Sequence, residues 1–483
     1  MPVEKLKNYI AGEWRESSAP ERLEVLNPTT DQAIAQVPLS TAGEVEEAVK
    51  AANEAFGEWR ETPPTSRVQY LFRLKELMEE GFEEVARTIS TENGKTLDEA
   101  RGEMRRTIEN VEVAIGIPSL MMGQNLEDVA RGIDEEVVRQ PLGVFAVIAP
   151  YNFPAMVPWW FAPYAMATGN PFIVKPSEQT PLTQTRIFEM VAELDLPPGV
   201  MSLVHGGRAT VDALLKHPGI VGISSVTSTP VAKAIYAAAG ASGKRAQCQA
   251  GAKNFIVVMP DADLDKAIPN LLSSCYGCAG QRCLAGAVLL PVGDAYQPLK
   301  ERFVAAAAKL KVGDPLDETV QMGPVVSKQH KERVLGHIER GVKEGAKLLL
   351  DGRQVKVAGH ESGYFVGPTV FDGVRPEMSI AKDEIFGPVV SIVKVDDLAS
   401  AIGIIDASPY GNAASIFTDS GSAAREFKYR VRCGNIGVNV GVAAPMAFFP
   451  FGGRKDSFFG DLHGQGQDVV DFLTEKKVVI TRW

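Results

Sequence analysis

Cysteine is scarce in this chain. There are five, Cys248, Cys275, Cys278, Cys283 and Cys433, among 483 residues. So few, and an odd number, argue against a disulfide framework and point to free thiols in a reducing compartment. Histidine is nearly as scarce, with six, and none stands in a catalytic setting, so surface or capping positions are expected. Positive charge is in deficit: the net charge of -10 argues against a nucleic-acid or anionic-membrane partner. No apolar signal region opens Met1-Pro-Val-Glu-Lys5, which leads us to expect a cytoplasmic protein. Gly143–Ile173 carries no charge, but Pro150, Pro154, Pro158, Pro163 and Pro171 interrupt it. It reads as buried core rather than a membrane span. G-x-G-x-x-G, a P-loop and G-x-S-x-G are all missing, and Gly240–Lys244 continues to Arg245 where a P-loop needs Ser or Thr.

What is present is an α/β pattern long enough for two or three domains. Short apolar runs at Val144–Ile148, Phe172–Lys175, Met201–Val204, Val221–Val226 and Phe255–Met259 alternate with helical stretches such as Thr210–His217 and Pro230–Ala239. That alternation implies a parallel sheet covered on both faces, with ligands at the carboxyl ends of its strands. A second alternating region holds Ala287–Leu290, Val389–Val395, Ala414–Phe417 and Asn435–Val440. Near the N-terminus, Asn8–Trp14 and Arg22–Leu26 read as a hairpin, followed by long helical patterns over Glu44–Phe56 and Arg67–Thr107. Lys477–Trp483 alternates as one exposed strand expected to pair with a neighbour, another subunit being one candidate.

Chemistry concentrates at Cys275-Tyr-Gly-Cys278-Ala-Gly-Gln-Arg-Cys283. Three cysteines without a fourth soft ligand make no metal site, so no metal is expected. Cys275 and Cys278 read as small buried residues filling a helix. Cys283 follows Gly280-Gln-Arg at the passage from helix to strand, and a neighbouring Arg282 favours its thiolate, so it is a candidate nucleophile. Lys175-Pro-Ser-Glu178 ends a strand and opens a turn, where the two charged groups suit a ribose or a phosphate as well as they suit an exposed loop.

Five ordered strings resemble the aldehyde dehydrogenase superfamily across nearly the whole chain. They are Pro150-Tyr-Asn-Phe-Pro154, Lys175-Pro-Ser-Glu178, Gly280-Gln-Arg-Cys283, Glu384-Ile-Phe-Gly-Pro388 and Phe449-Pro-Phe-Gly-Gly453. Glu109-Asn-Val-Glu112, Pro118-Ser-Leu-Met-Met-Gly123, Pro260-Asp-Ala-Asp263 and Phe459-Gly-Asp-Leu-His463 are similar to the CoA-acylating methylmalonate-semialdehyde dehydrogenase branch. The resemblance implies a Rossmann-type NAD-binding domain at 1–119 and 141–249, an α/β catalytic domain at 250–440, and a small β oligomerisation arm at 120–140 and 462–483. It implies a homodimer or homotetramer. It makes Cys283 the nucleophile and gives the oxyanion to the Asn152 amide and the Cys283 N–H. NAD would be held by Pro150, Tyr151, Lys175, Glu178, Ser228, Thr229, Glu384 and Phe386, and the substrate carboxylate by Arg106 and Arg282. Hydrolytic members carry a water-activating glutamate where this chain reads Cys248, so transfer to CoA is expected, although no CoA motif is readable. Ser225, Thr227, Gln249, Ala162, Ala413 and Gly286 depart from the pattern, which suggests a reshaped cofactor seat or acyl pocket. The activity implied is oxidation of methylmalonate or malonate semialdehyde to an acyl-CoA with decarboxylation. The alternatives are a reshaped dehydrogenase of other specificity, a hydrolytic aldehyde dehydrogenase, and a thioesterase or binding protein that has lost redox function.

Overall fold

Two open sheets, each dominated by parallel strands, form the body of the chain in a computed structural model that describes residues 3–483. The first is built on five parallel strands whose spatial order is Arg245–Gln249, Ile220–Val226, Val144–Ile148, Phe172–Lys175 and Met201–Leu203. Val144–Ile148 and Phe172–Lys175 are buried along their whole length, as continuous apolar runs covered on both faces must be. Chain order reverses between Val144–Ile148 and Ile220–Val226, so the crevice for a ligand lies beyond their carboxyl ends. Arg245–Gln249 is a strand that its composition conceals: it pairs in register with Ile220–Val226 and, antiparallel, with Phe458–Phe459.

The second sheet runs Lys347–Leu350, Thr369–Asp372, Val389–Ile392, Gly286–Pro291, Asn254–Val258, Ala413–Phe417 and Asn435–Val438. All its pairings are parallel except the first. The chain passes from one sheet to the other between Gln249 and Asn254, at 250–253.

Two expectations are corrected. Asn8–Trp14 is itself a tight hairpin turning at Ala11 and Gly12, while Arg22–Asn27 pairs with Gln32–Pro38. The helical pattern over Arg67–Thr107 is three helices, Pro64–Glu80, Phe82–Asn93 and Leu97–Ile115. Gly81 separates the first pair, and Gly94 stops the second helix in the left-handed region, at φ 91°. Thr96 starts the third with a reciprocal capping box to Glu99. The C-terminal strand, Thr474–Arg482, finds its partner in its own chain, antiparallel to Ile133–Pro141, which also pairs with Gln124–Ala130. Among the described residues no helix is long and apolar enough to cross a membrane.

Candidate active site

The helix Leu264–Tyr276 ends at Gly277, and the chain then takes three residues in the left-handed region: Cys278 at φ 50°, Ala279 at 52° and Gly280 at 73°. A side chain on Gly280 would lie 2.3 Å from the Gly387 carbonyl, so only glycine fits there. Cys278 is therefore outside the helix that was expected to contain it. Cys275 is inside, and buried. This turn delivers Cys283 to the wall shared by two cavities, one of about 430 Å³ and one of about 390 Å³. Its backbone carbonyl accepts from Asn254 Nδ2 (2.9 Å) and Asn412 Nδ2 (2.7 Å), two anchors from the second sheet.

The 430 Å³ cavity opens at the reversal point of the first sheet and is lined by Pro150, Tyr151, Asn152, Glu178, Ser228, Glu384 and Phe386. Lys175 and Thr229 stand one step back. Lys175 Nζ reaches Glu178 Oε2 at 3.2 Å, and the Thr229 hydroxyl is used by Gly251 N and Asp456 O. The helix Thr229–Ala241 points its N-terminus at the cavity. Ser228, its N-cap, makes no side-chain cap bond, and the first turn holds no acid, so its free N–H groups suit a diphosphate. Glu384 takes Ala252 N at 2.8 Å, and Phe386, at φ 58°, closes edge-on against Tyr151. Thr227 lines the same cavity, its N–H donating to Gln249 O at 3.1 Å.

The 390 Å³ cavity is lined on one side by a single stripe of the helix Leu97–Ile115: Glu99, Glu103, Arg106 and Asn110, spaced as one helical face. Arg282 and Cys283 stand opposite, with Trp160 and Phe451 among the apolar walls. Arg106 and Arg282 thus meet in one cavity. Arg106 pairs with Glu109 (3.0 Å), whereas Arg282 is held more fully, by Glu99 (3.1 Å), Cys278 Sγ (3.2 Å) and Ser273 O (3.4 Å). Glu99 also fixes the turn, accepting from Cys278 N at 2.6 Å.

Two readings of the sequence change here. Arg282 does not win over its neighbour thiol: burial first, and the Glu384 carboxylate second, push Cys283 up to about 12. The thiolate is the reactive form, so alkylation of Cys283 by iodoacetamide in the free protein should rise about tenfold per pH unit between about pH 6.5 and 9. A rate already flat below about pH 8 would contradict this. Cys248 does not face the site either. Strand alternation turns it into the core with Val144, Ile148 and Ile223. Gln249 takes the other face, where its Nε2 donates to Phe451 O at 2.9 Å beside the smaller cavity. Gln249 lines neither cavity, and its side chain is an amide, which cannot accept a proton from water.

Histidine departs from the surface and capping positions expected of it. His205, His330 and His337 are buried, and His330 Nε2 donates to Phe386 O at 2.7 Å, supporting the cofactor-side wall. The Gly240–Lys244 turn is structural, with Lys244 donating to His217 O and Ile220 O. Asn254, Asn412, Glu99, Lys95 and Glu103 went unread in the sequence. Their only signal there is polarity beside an apolar run or on a helix that looks solvated.

Residues 14–479 match the model of the aldehyde dehydrogenase family. Malonate-semialdehyde dehydrogenase 2 of Geobacillus kaustophilus is 49% identical over 481 residues, covering 100% of this chain and 99% of its own. The crystal structure of a methylmalonate-semialdehyde dehydrogenase from Oceanimonas doudoroffii superposes with TM-score 0.98 at 44% identity, covering 100% and 99%. A Sinorhizobium meliloti chain assigned to the same activity and complexed with NAD gives TM-score 0.98 at 40% identity, covering 100% and 98%.

Proposed function

Because the chain belongs to the aldehyde dehydrogenase family, we propose that it oxidises malonate or methylmalonate semialdehyde with NAD and passes the acyl group to CoA. One observation carries this reading: Cys283 stands between a cavity suited to a dinucleotide and a cavity holding two arginines.

The Cys283 thiol gives its proton to water and its sulfur attacks the aldehyde carbon, so that the C–S bond forms as the C=O π pair moves onto oxygen. Asn152 Nδ2 donates to Gln281 O at 3.0 Å and keeps its second hydrogen for the oxyanion. The N–H groups of Cys283 and Leu284 lie beside the sulfur. NAD, when bound, supplies the acceptor for the aldehyde hydrogen and its electron pair. A thioester then remains on Cys283. Gln249 is an amide, Glu99, Glu103 and Glu109 are each paired with a cation, and Glu384 accepts from Ala252 N, so no free carboxylate activates water, and a CoA thiolate displaces the cysteine. The substrate carboxylate lies β to the thioester carbonyl, which takes up the electron pair left by departing CO2, and the resulting enolate carbon takes a proton from water to give the acyl thioester. Glu178, paired with Lys175, suits unphosphorylated ribose hydroxyls and would repel a 2′-phosphate, which favours NAD over NADP.

Arg106 is the freer of the two guanidiniums and should carry most of the discrimination for an acidic aldehyde. Arg106→Ala should lower kcat/KM for malonate semialdehyde by about 10- to 200-fold, about 1.5–3 kcal/mol for a lost charged hydrogen bond. Its kcat/KM for propanal, which lacks the carboxylate, should hardly change. Equal losses on both aldehydes would remove Arg106 from substrate recognition.

We take 1–119 and 141–249 as the NAD-binding domain, 250–440 as the catalytic domain, and 120–140 with 462–483 as the arm. Val478 and Ile480 on the arm are about two-thirds exposed, an apolar surface suited to joining copies in a homodimer or homotetramer. A cytoplasmic location fits the free thiols of all five cysteines.

A further inference from the structure

Lys95 and Glu103 form an ion pair whose side chains are both 0% exposed, with Nζ 2.5 Å from Oε2. Taking two charges out of water is costly, and an apolar pair of similar volume serves stability as well or better. Stability alone therefore does not account for the pair, and its remaining bonds suggest what does. Lys95 Nζ donates to the Asn152 carbonyl at 2.7 Å and lies 4.0 Å over the Phe153 ring. Glu103 Oε1 accepts from Ala155 N at 2.8 Å and Met156 N at 3.1 Å. Asn93 and Gln184 take the neighbouring carbonyls of Tyr151 and Pro154, at 2.9 Å and 2.6 Å. The loop after Val144–Ile148 thus has side chains where a strand would have a ladder. The ion pair grips it at residue 152 itself and again at 155–156.

We propose that Lys95 and Glu103 are positioning residues that fix the Asn152 amide where the oxyanion develops. The proposal rests on the reading of Asn152 as oxyanion donor. Lys95 holds the carbonyl of the residue whose side chain does the work, so losing it frees the Asn152 peptide to rotate and carries Nδ2 off its line. Misplacement of a catalytic donor by about 1 Å costs about 10²-fold in rate. Neither Lys95 nor Glu103 lines the cofactor cavity, but the loop they hold does at Pro150, Tyr151 and Asn152, so NAD affinity is measured beside the rate.

The test is a double-mutant cycle on the single-turnover burst of NADH, with malonate semialdehyde as substrate. The variants are Lys95→Met, Asn152→Ala and the two combined, with NAD affinity by fluorescence and the iodoacetamide rate at Cys283 as controls. Lys95→Met should slow the burst about 10²-fold, with both controls at the parent values. The double variant should be no slower than Asn152→Ala alone, since an absent amide cannot be misplaced. Glu103→Gln, which keeps an acceptor for Ala155 and Met156, should lose less, and it carries the same cycle if Lys95→Met does not fold. A parent-like burst in Lys95→Met, or an equal cost with and without Asn152, would overturn the proposal. So would a loss that follows NAD affinity or thiol alkylation. If Asn152→Ala alone leaves the burst unchanged, the oxyanion reading itself is wrong, and this proposal falls with it.

Discussion

Replacing Cys283 with alanine is expected to lower semialdehyde-dependent NADH formation by about 10⁴-fold or more, because removing a covalent nucleophile leaves only binding and oxyanion stabilisation. The sulfur is the one nucleophile on the wall common to both cavities, and Asn254 and Asn412 hold its backbone from the far side. Alanine keeps that backbone and those bonds. NAD affinity and thermal stability should therefore stay near the parent values, and the loss should fall on the chemical step. Cys275 and Cys278 give no rescue: burial raises the pKa of both, and neither lines the dinucleotide cavity. Residual turnover within tenfold of the parent would mean that another group carries the acyl chain.

Asn152→Ala should lower kcat by about 10²–10³-fold, the usual cost of one oxyanion donor. The Asn152 amide is fixed through Gln281, whose own side chain is buried and accepts from Val326 N at 3.1 Å. The donor is thus aimed before substrate arrives, which is what makes such a group effective in a water-poor site. Binding of NAD should be little affected. Asn152 does line that cavity, so an unchanged NAD affinity together with a lowered kcat is the pattern to look for. A raised NAD dissociation constant with normal kcat would instead make Asn152 a cofactor contact.

Much of the fold could be read from the sequence where strands are buried on both faces. Val144–Ile148 and Phe172–Lys175 were legible to the residue because all their side chains are apolar or drawn inward. Arg245–Gln249 was not, since Arg-Ala-Gln-Cys-Gln has neither an apolar run nor an apolar alternation. Its strand conformation is set by the neighbours it pairs with. The same strand explains the confusion of Cys248 with Gln249, because a shift of one residue exchanges the two faces of a strand. The sequence around Cys278 reads as helix because nothing local announces a left-handed cysteine. Its conformation is imposed by the turn into Cys283 and by Glu99, which is far away in sequence. Arg106, Glu99 and Glu103 lie on a helix whose charge pattern resembles a solvated face. Only packing against the loop 150–156 and the turn at 277–283 shows that this face is interior. The motifs brought Cys283, Asn152, Glu178 and Glu384 together. Lys175 and Thr229 reach the cofactor side only through other residues.

The most direct test of the account is steady-state NADH formation from malonate semialdehyde, with and without CoA. Gln249 offers no base for water, so the account predicts sustained turnover only when CoA is present, and a burst of at most one NADH per site without it. Equal sustained rates with and without CoA would contradict it and make the chain a hydrolytic aldehyde dehydrogenase.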